Sequence, residues 1–155
     1  MADIAFNISL GKCIGYHDRV AGNDPSTSAL VLVPIETSGL EADSVLRDKA
    51  TLAAVLAGTT NEQTTMGRKV LTDADISASA VNNTTDLNEA SLPTVIWTAA
   101  TGNAISKILV CYRPDTGSAS DSTDIPMTLF DFVITPDGSD VQMDGGVYLQ
   151  AASAA

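Results

Sequence analysis

Basic residues are scarce in this chain: eight Lys and Arg stand against nineteen Asp and Glu, a formal net charge of −11. So few cations, scattered over 155 residues, cannot build the positive footprint that a phosphate backbone demands, and nucleic-acid binding is not expected. Anionic membrane surfaces are disfavoured for the same reason. Aromatic residues make up only 5%, so the core must come from Val, Leu, Ile and Ala. A glycoside-hydrolase cleft lined by aromatic rings has little to draw on. The single histidine, His17, would have to serve any Ser-His-Asp or Cys-His arrangement. No serine sits in GxSxG, and His17 beside Asp18 reads as an ordinary strand or surface residue, so the chain is not expected to be an enzyme.

Other absences narrow the field further. The chain has no GxGxxG and no GxxxxGK[ST], hence no glycine cradle for a nucleotide, and no cofactor is expected. Cys13 and Cys111 lack CxxC or metal-ligand spacing and read as two buried free thiols. No run approaches the roughly 18 apolar residues of a spanning helix. The opening "MADIAFNISLGKC" lacks the basic start and apolar centre of a secretory signal, so synthesis and release without the general secretory route are expected.

What is present reads as short strands and turns. The length suits one domain, 1–155. "ADIAFNIS" alternates Ile4, Phe6 and Ile8 with small or polar neighbours, the period-two mark of a half-buried strand. "GKCIGYHDRV" reads as a second extended segment, and "AGNDPSTS" as a turn. "SALVLVPIE" (28–36) is a continuous apolar strand, and Pro34 points to a sheet edge or a strand end there. Asp48 is placed to cap a short helix through Leu52, Val55 and Leu56, with Gly58 as its left-handed stop. Their spacing gives the helix one apolar face to lay on a sheet.

"RKVLTDADI" follows as a short strand and a turn, and "SASAVNNTTDLNEAS" as a long polar loop or arm. "TVIWTA", "SKILVCY" and "MTLFDFVIT" are strands, Asp137-Gly138 is a hairpin turn signal, and "GVYLQAA" closes with a short strand. The sum is a mainly β chain, a β-sandwich or barrel-like single domain with one short α-helix.

Two acidic clusters stand out: Asp115, Asp121 and Asp124 in one loop, Asp137, Asp140 and Asp144 in another. Calcium favours oxygen ligands from such loops, but neither matches an EF-hand, and Asx hydrogen bonds within turns are the simpler reading; no metal is expected. Arg68 and Lys69 form a rare basic pair, read as an inter-subunit contact because cations are so few.

The order "ALVLVPIETSGLEADSVLRDKATLAAVLAGTTNE", "GRKVLTDADI", "LPTVIWTAATGNAISKILVCYRPDT" and "IPMTLFDFVITPDGSDV" resembles a family of small virion structural proteins of tailed bacteriophages. The resemblance runs from about Ser28 to Val141. The chain departs from the family pattern at Gly67, where Ala is usual, and at Phe130, where His is common.

It implies a capsid decoration (cement) protein that binds the major capsid protein, stabilises the outer shell and docks as a homo-oligomer such as a trimer. The location implied is the virion, after synthesis in the bacterial host cytoplasm. Residues 1–10 are then a contact arm, with Ile4, Phe6, Ile8, Arg68 and Lys69 as interface residues and no nucleic acid or membrane as partner. The alternatives are a minor tail or fibre-associated virion protein, and a virion-surface carbohydrate-binding module using Trp97 and the acidic loops.

Overall fold

The run "ALVLVPIE" forms strand β2 (Ala29–Glu36). Its Leu30 and Leu32 enter one apolar layer, and its Val31, Val33 and Ile35 enter another. A strand covered on both faces needs apolar residues at every position, which is why this run lacks period-two polarity. The next strand in the sheet, β7 (Ile105–Arg113), divides in the same way: Ile108, Val110 and Tyr112 go to the first layer, Leu109 and Cys111 to the second. Register pairs Leu32 with Val110 and Val33 with Leu109, so like-facing side chains stack across the two strands.

The computed structural model describes residues 4–152. It places β2 and β7 inside a five-stranded antiparallel sheet. The order is β1 (Ile4–Ala5), β8 (Ile125–Ile134), β7, β2 and β3 (Lys69–Leu71). The protein is therefore mainly β and sandwich-like.

The first layer is covered by helix α1 (Cys13–Ala21) and by a three-stranded sheet, β4 (Ala80–Asn82), β5 (Leu87–Leu92) and β10 (Gly146–Ala152), in which β5 is central. A two-stranded sheet of β6 (Val95–Trp97) and β9 (Val141–Met143) adds Val95, Trp97, Val141 and Met143. The second layer is covered by Ile4, Phe6, helix α2 (Asp43–Leu46) and helix α3 (Leu52–Leu56).

Several expectations are corrected. "GKCIGYHDRV" is not extended; most of it is α1, which buries His17 and Val20. The expected long loop "SASAVNNTTDLNEAS" is a hairpin, with Ala80 to Asn82 paired to Glu89 to Leu87. It holds because β5 lies between β4 and β10, not because its residues favour strands. Helix α3 is capped by Thr51, whose Oγ1 accepts from Ala54 N at 3.1 Å, and not by Asp48, which accepts from Asn7 Nδ2 at 2.6 Å. Gly58 is not left-handed. Among the described residues there are three α-helices, not one.

Three further findings concern turns and edges. Asp137-Gly138 does turn, with Gly138 at φ +95, but it closes no hairpin, since β8 pairs with β7 and β9 with β6. Pro34 is interior to the sheet. Its carbonyl accepts from Gln63 N at 2.9 Å, and its missing N–H faces that same side, beyond the Leu30–Leu32 stretch paired with β3. Of the expected strand 2–9, the described part is strand at Ile4–Ala5 and then a 3-10 turn over Asn7–Ser9; Ala2 and Asp3 lie outside the described residues.

Candidate functional site

Two of the rare cations, Arg68 and Arg113, meet the long connection between β7 and β8 where it folds back. Arg68 precedes β3 and grips two carboxylates at once. Its Nε and Nη2 donate to Glu62 at 2.7 and 2.5 Å, and its Nη1 and Nη2 donate to Asp121 at 2.5 and 3.0 Å. The planar fork of a guanidinium suits this double bidentate arrangement, which an ammonium cannot reproduce. Hydrogen bonds to Glu62, then to Asp121, hold the Arg68 guanidinium well above its ordinary pKa. Asp121 is correspondingly held below the usual carboxylate range, chiefly by Arg68.

Arg113, at the end of β7, repeats the theme in a drier place. Its Nε and Nη2 donate to Asp124 at 2.9 and 2.5 Å, and Asp124 is fully buried. The backbone carbonyls of Asp124 and Asp121 accept from Leu52 N and Ala53 N at 3.0 and 2.8 Å. The acidic loop therefore supplies partners for the first N–H groups of α3 that the helix cannot satisfy itself.

This arrangement places the aspartates of the two acidic clusters. Asp121 and Asp124 are paired with Arg68 and Arg113, and Asp115 accepts from Gly117 N at 2.8 Å within its own loop. In the second cluster Asp137 accepts from Ser139 N at 3.0 Å, Asp140 from Ala99 N at 2.8 Å, and Asp144 from Gln142 Nε2 at 2.7 Å. Among the described residues no group of three or more carboxylate, His or Cys side chains is arranged to hold a metal ion.

His17 and Asp18 also have structural partners. His17 is buried on α1, with Nε2 2.8 Å from the Ser77 carbonyl and Nδ1 3.0 Å from the Tyr148 hydroxyl. A carbonyl only accepts, so Nε2 carries a proton and donates it to Ser77. Burial pushes the Tyr148 hydroxyl pKa up. Asp18 accepts from Ser79 N and Oγ at 2.7 and 2.8 Å. The pair thus clips α1 to the segment leading into β4.

Of the expected interface residues, Ile4 and Phe6 are buried in the protein's own second layer, while Ile8 is 40% exposed. Arg68 is held by Glu62 and Asp121 of its own chain. Lys69 lies with Nζ 5.8 Å from the centre of the Trp97 ring, a cation–π distance. Trp97 itself is only 2% exposed and donates from Nε1 to the Gly67 carbonyl at 2.9 Å, so it offers no platform for a sugar.

A surface the sequence did not single out is a groove of about 460 Å³ between β8 and β10. Ile4, Phe130, Tyr148 and Leu149 line it, and the charged residues in its lining, Asp131 and Asp144, are both acidic. Among the described residues, the outer edge of β10 has no strand partner, and β1 covers β8 at Thr128 and Leu129. Thr128, 8% exposed, brings to the groove a buried hydroxyl without a hydrogen-bond partner. Nothing in the residue pattern could have located this groove, because it lies between two separate sheets.

Comparison with protein-family models found no match. The curated proteins and the solved structures likewise returned none.

Proposed function

We propose that this chain is a structural protein of a tailed-phage virion, acting as a capsid decoration protein that accepts an extended segment of a capsid subunit in the groove between β8 and β10. The observation that carries the reading is where the virion-like sequence segments fall. "ALVLVPIE" is β2, "GRKVL" brings Arg68 to Glu62 and Asp121, and "ILVCYRPDT" contains Arg113, the last residue of β7 and the partner of Asp124. The segments that resemble the family are those that brace the scaffold, as suits a part whose work is mechanical.

The groove supports the docking half of the reading. Two strand edges without a partner along most of their length among the described residues can take a further strand through main-chain hydrogen bonds, with side-chain pockets setting specificity. Asp144 in its lining, on a chain of net charge −11, favours an occupant that carries basic residues. Since Ile4 and Phe6 sit in the protein's own core, the chain accepts a strand here and does not donate its first one. Repetition over a lattice lets modest individual contacts suffice, and the shell gains stability only while the copies are bound.

The test is to image intact virions that carry the protein, at a resolution that traces its chain. The expected result is density repeated over the icosahedral shell, with a capsid segment in the β8–β10 groove. Density confined to the neck or tail would replace this reading with a minor tail protein. Absence of the chain from the particles would overturn the virion reading altogether.

A further inference from the structure

We propose that Lys107 and Asp131 form a self-modification site, at which the lysine amine and the aspartate carboxyl condense to an amide that ties β7 covalently to β8. The two residues are register partners in the antiparallel ladder, so their side chains leave the sheet on the same face at the same level. Lys107 is fully buried, and its Nζ lies 2.8 Å from Asp131 Oδ1. Nucleophile and electrophile are therefore held in contact by the two longest strands of the fold.

A third group makes the arrangement more than an ion pair. Asp43, the first residue of α2, places Oδ1 3.7 Å from the same Nζ. That oxygen is buried and has no hydrogen-bond partner. Leaving a carboxylate oxygen unsatisfied in the interior is costly, and the Lys107–Asp131 pair does not require it. Its place beside Nζ is where a proton carrier would stand.

The reaction needs no reagent beyond these side chains. In the resting pair the proton sits on nitrogen, and Lys107 holds the Asp131 carboxyl below its ordinary pKa. Reaction begins when that proton crosses to the carboxyl. The Nζ lone pair then attacks Cγ of Asp131 and the C–N bond forms. Asp43 takes a second proton from nitrogen and passes it to the hydroxyl on Cγ. The C–O bond breaks and one water departs, leaving an amide and the Asp43 carboxylate regenerated. The Asp131 side chain is 35% exposed, which opens a way out for that water.

Mass spectrometry of the purified full chain decides the matter. The expected mass is lighter than the sequence mass by one water, trypsin no longer cuts after Lys107, and a peptide map joins Lys107 to Asp131. Lys107→Arg and Asp131→Ala should each restore the full mass, and Asp43→Ala should do so while leaving the circular dichroism unchanged. A wild-type chain that keeps its full mass after prolonged incubation overturns the proposal without reference to any variant. So does a water lost elsewhere, as from a succinimide at Asp137-Gly138, or a link from Lys107 to Asp43. A crosslink that persists in Asp43→Ala overturns the role given to Asp43.

Discussion

Gly102 lies so close to the Gln63 side chain that a Cβ at position 102 would fall 1.8 Å from Gln63 Nε2. Gln63 is buried and uses its whole amide. Nε2 donates to the Thr101 and Asn103 carbonyls at 3.2 and 3.3 Å, and Oε1 accepts from Thr65 N and Met66 N at 2.8 and 3.1 Å. One side chain thus ties the segment before β3 to the turn before β7.

Gly102→Ala should therefore be strongly destabilising. Its φ of +113 already strains any residue with a Cβ, by about 1–3 kcal/mol. Displacing the Gln63 amide exposes buried donors and acceptors to a further ~1–3 kcal/mol each. Gly138→Ala is the control, since Gly138 also has positive φ, at +95, but nothing within 4 Å of its added Cβ. Thermal unfolding should show the larger loss at Gly102; equal losses would mean that strain alone matters.

Arg68→Lys should cost about 1.5–3 kcal/mol, as one ammonium cannot keep both bidentate carboxylate pairs. Arg68→Met should cost more, because it leaves Glu62 and Asp121 facing each other without a cation. Adding Asp121→Asn to Arg68→Met should recover part of the loss. Urea unfolding of wild type, Arg68→Met, Asp121→Asn and the double variant forms the cycle, and strict additivity would show that the contacts are not coupled.

Acid should act on the same cluster. Asp121 has a folded pKa below its ordinary value of 3.8, so the folded state binds fewer protons than the unfolded one in that range. Its contribution is complete above the unfolded value and is lost as pH falls through the lower, folded one. The stability difference between wild type and Asp121→Asn should stay constant from neutral pH down to the carboxylate range, then shrink. Urea midpoints across a pH series measure it; a gap that narrows near neutral pH would remove Asp121 as the cause.

The two thiols should remain separate. Cys111 packs in the second layer, beneath α3, whereas Cys13 lies on α1 against the first, with its Sγ donating to the Ser9 carbonyl at 3.3 Å. The central sheet stands between the two layers. Burial pushes both thiols up, Cys111 well above its ordinary value. Native protein should show Cys111 inert to a thiol reagent until denaturant is added. Reduced and non-reduced samples should migrate and melt alike.

Much of the fold was legible from residue pattern because it rests on local rules. The run 29–36, the strands ending at Trp97 and Arg113 and the short helix 52–56 each follow from apolar spacing. The missed helix α1 carried a signal too: Cys13, Tyr16, His17, Val20 and Ala21 recur at helical spacing and all meet the core. Gly15, together with Tyr and His, both indifferent helix formers, masked it.

The sequence by itself determined that this is an acidic, mainly β chain with a continuous apolar core strand. Composition and short-range periodicity suffice for that, since both are properties of neighbouring residues. Only the tertiary structure decided the rest. It turned Arg68 from an expected interface residue into an internal clamp, buried Ile4 and Phe6, stood Lys107 against Asp131 and opened the groove between β8 and β10. Each of these joins segments far apart in the chain. Their meeting depends on strand register and on how layers stack, which no single stretch of residues encodes.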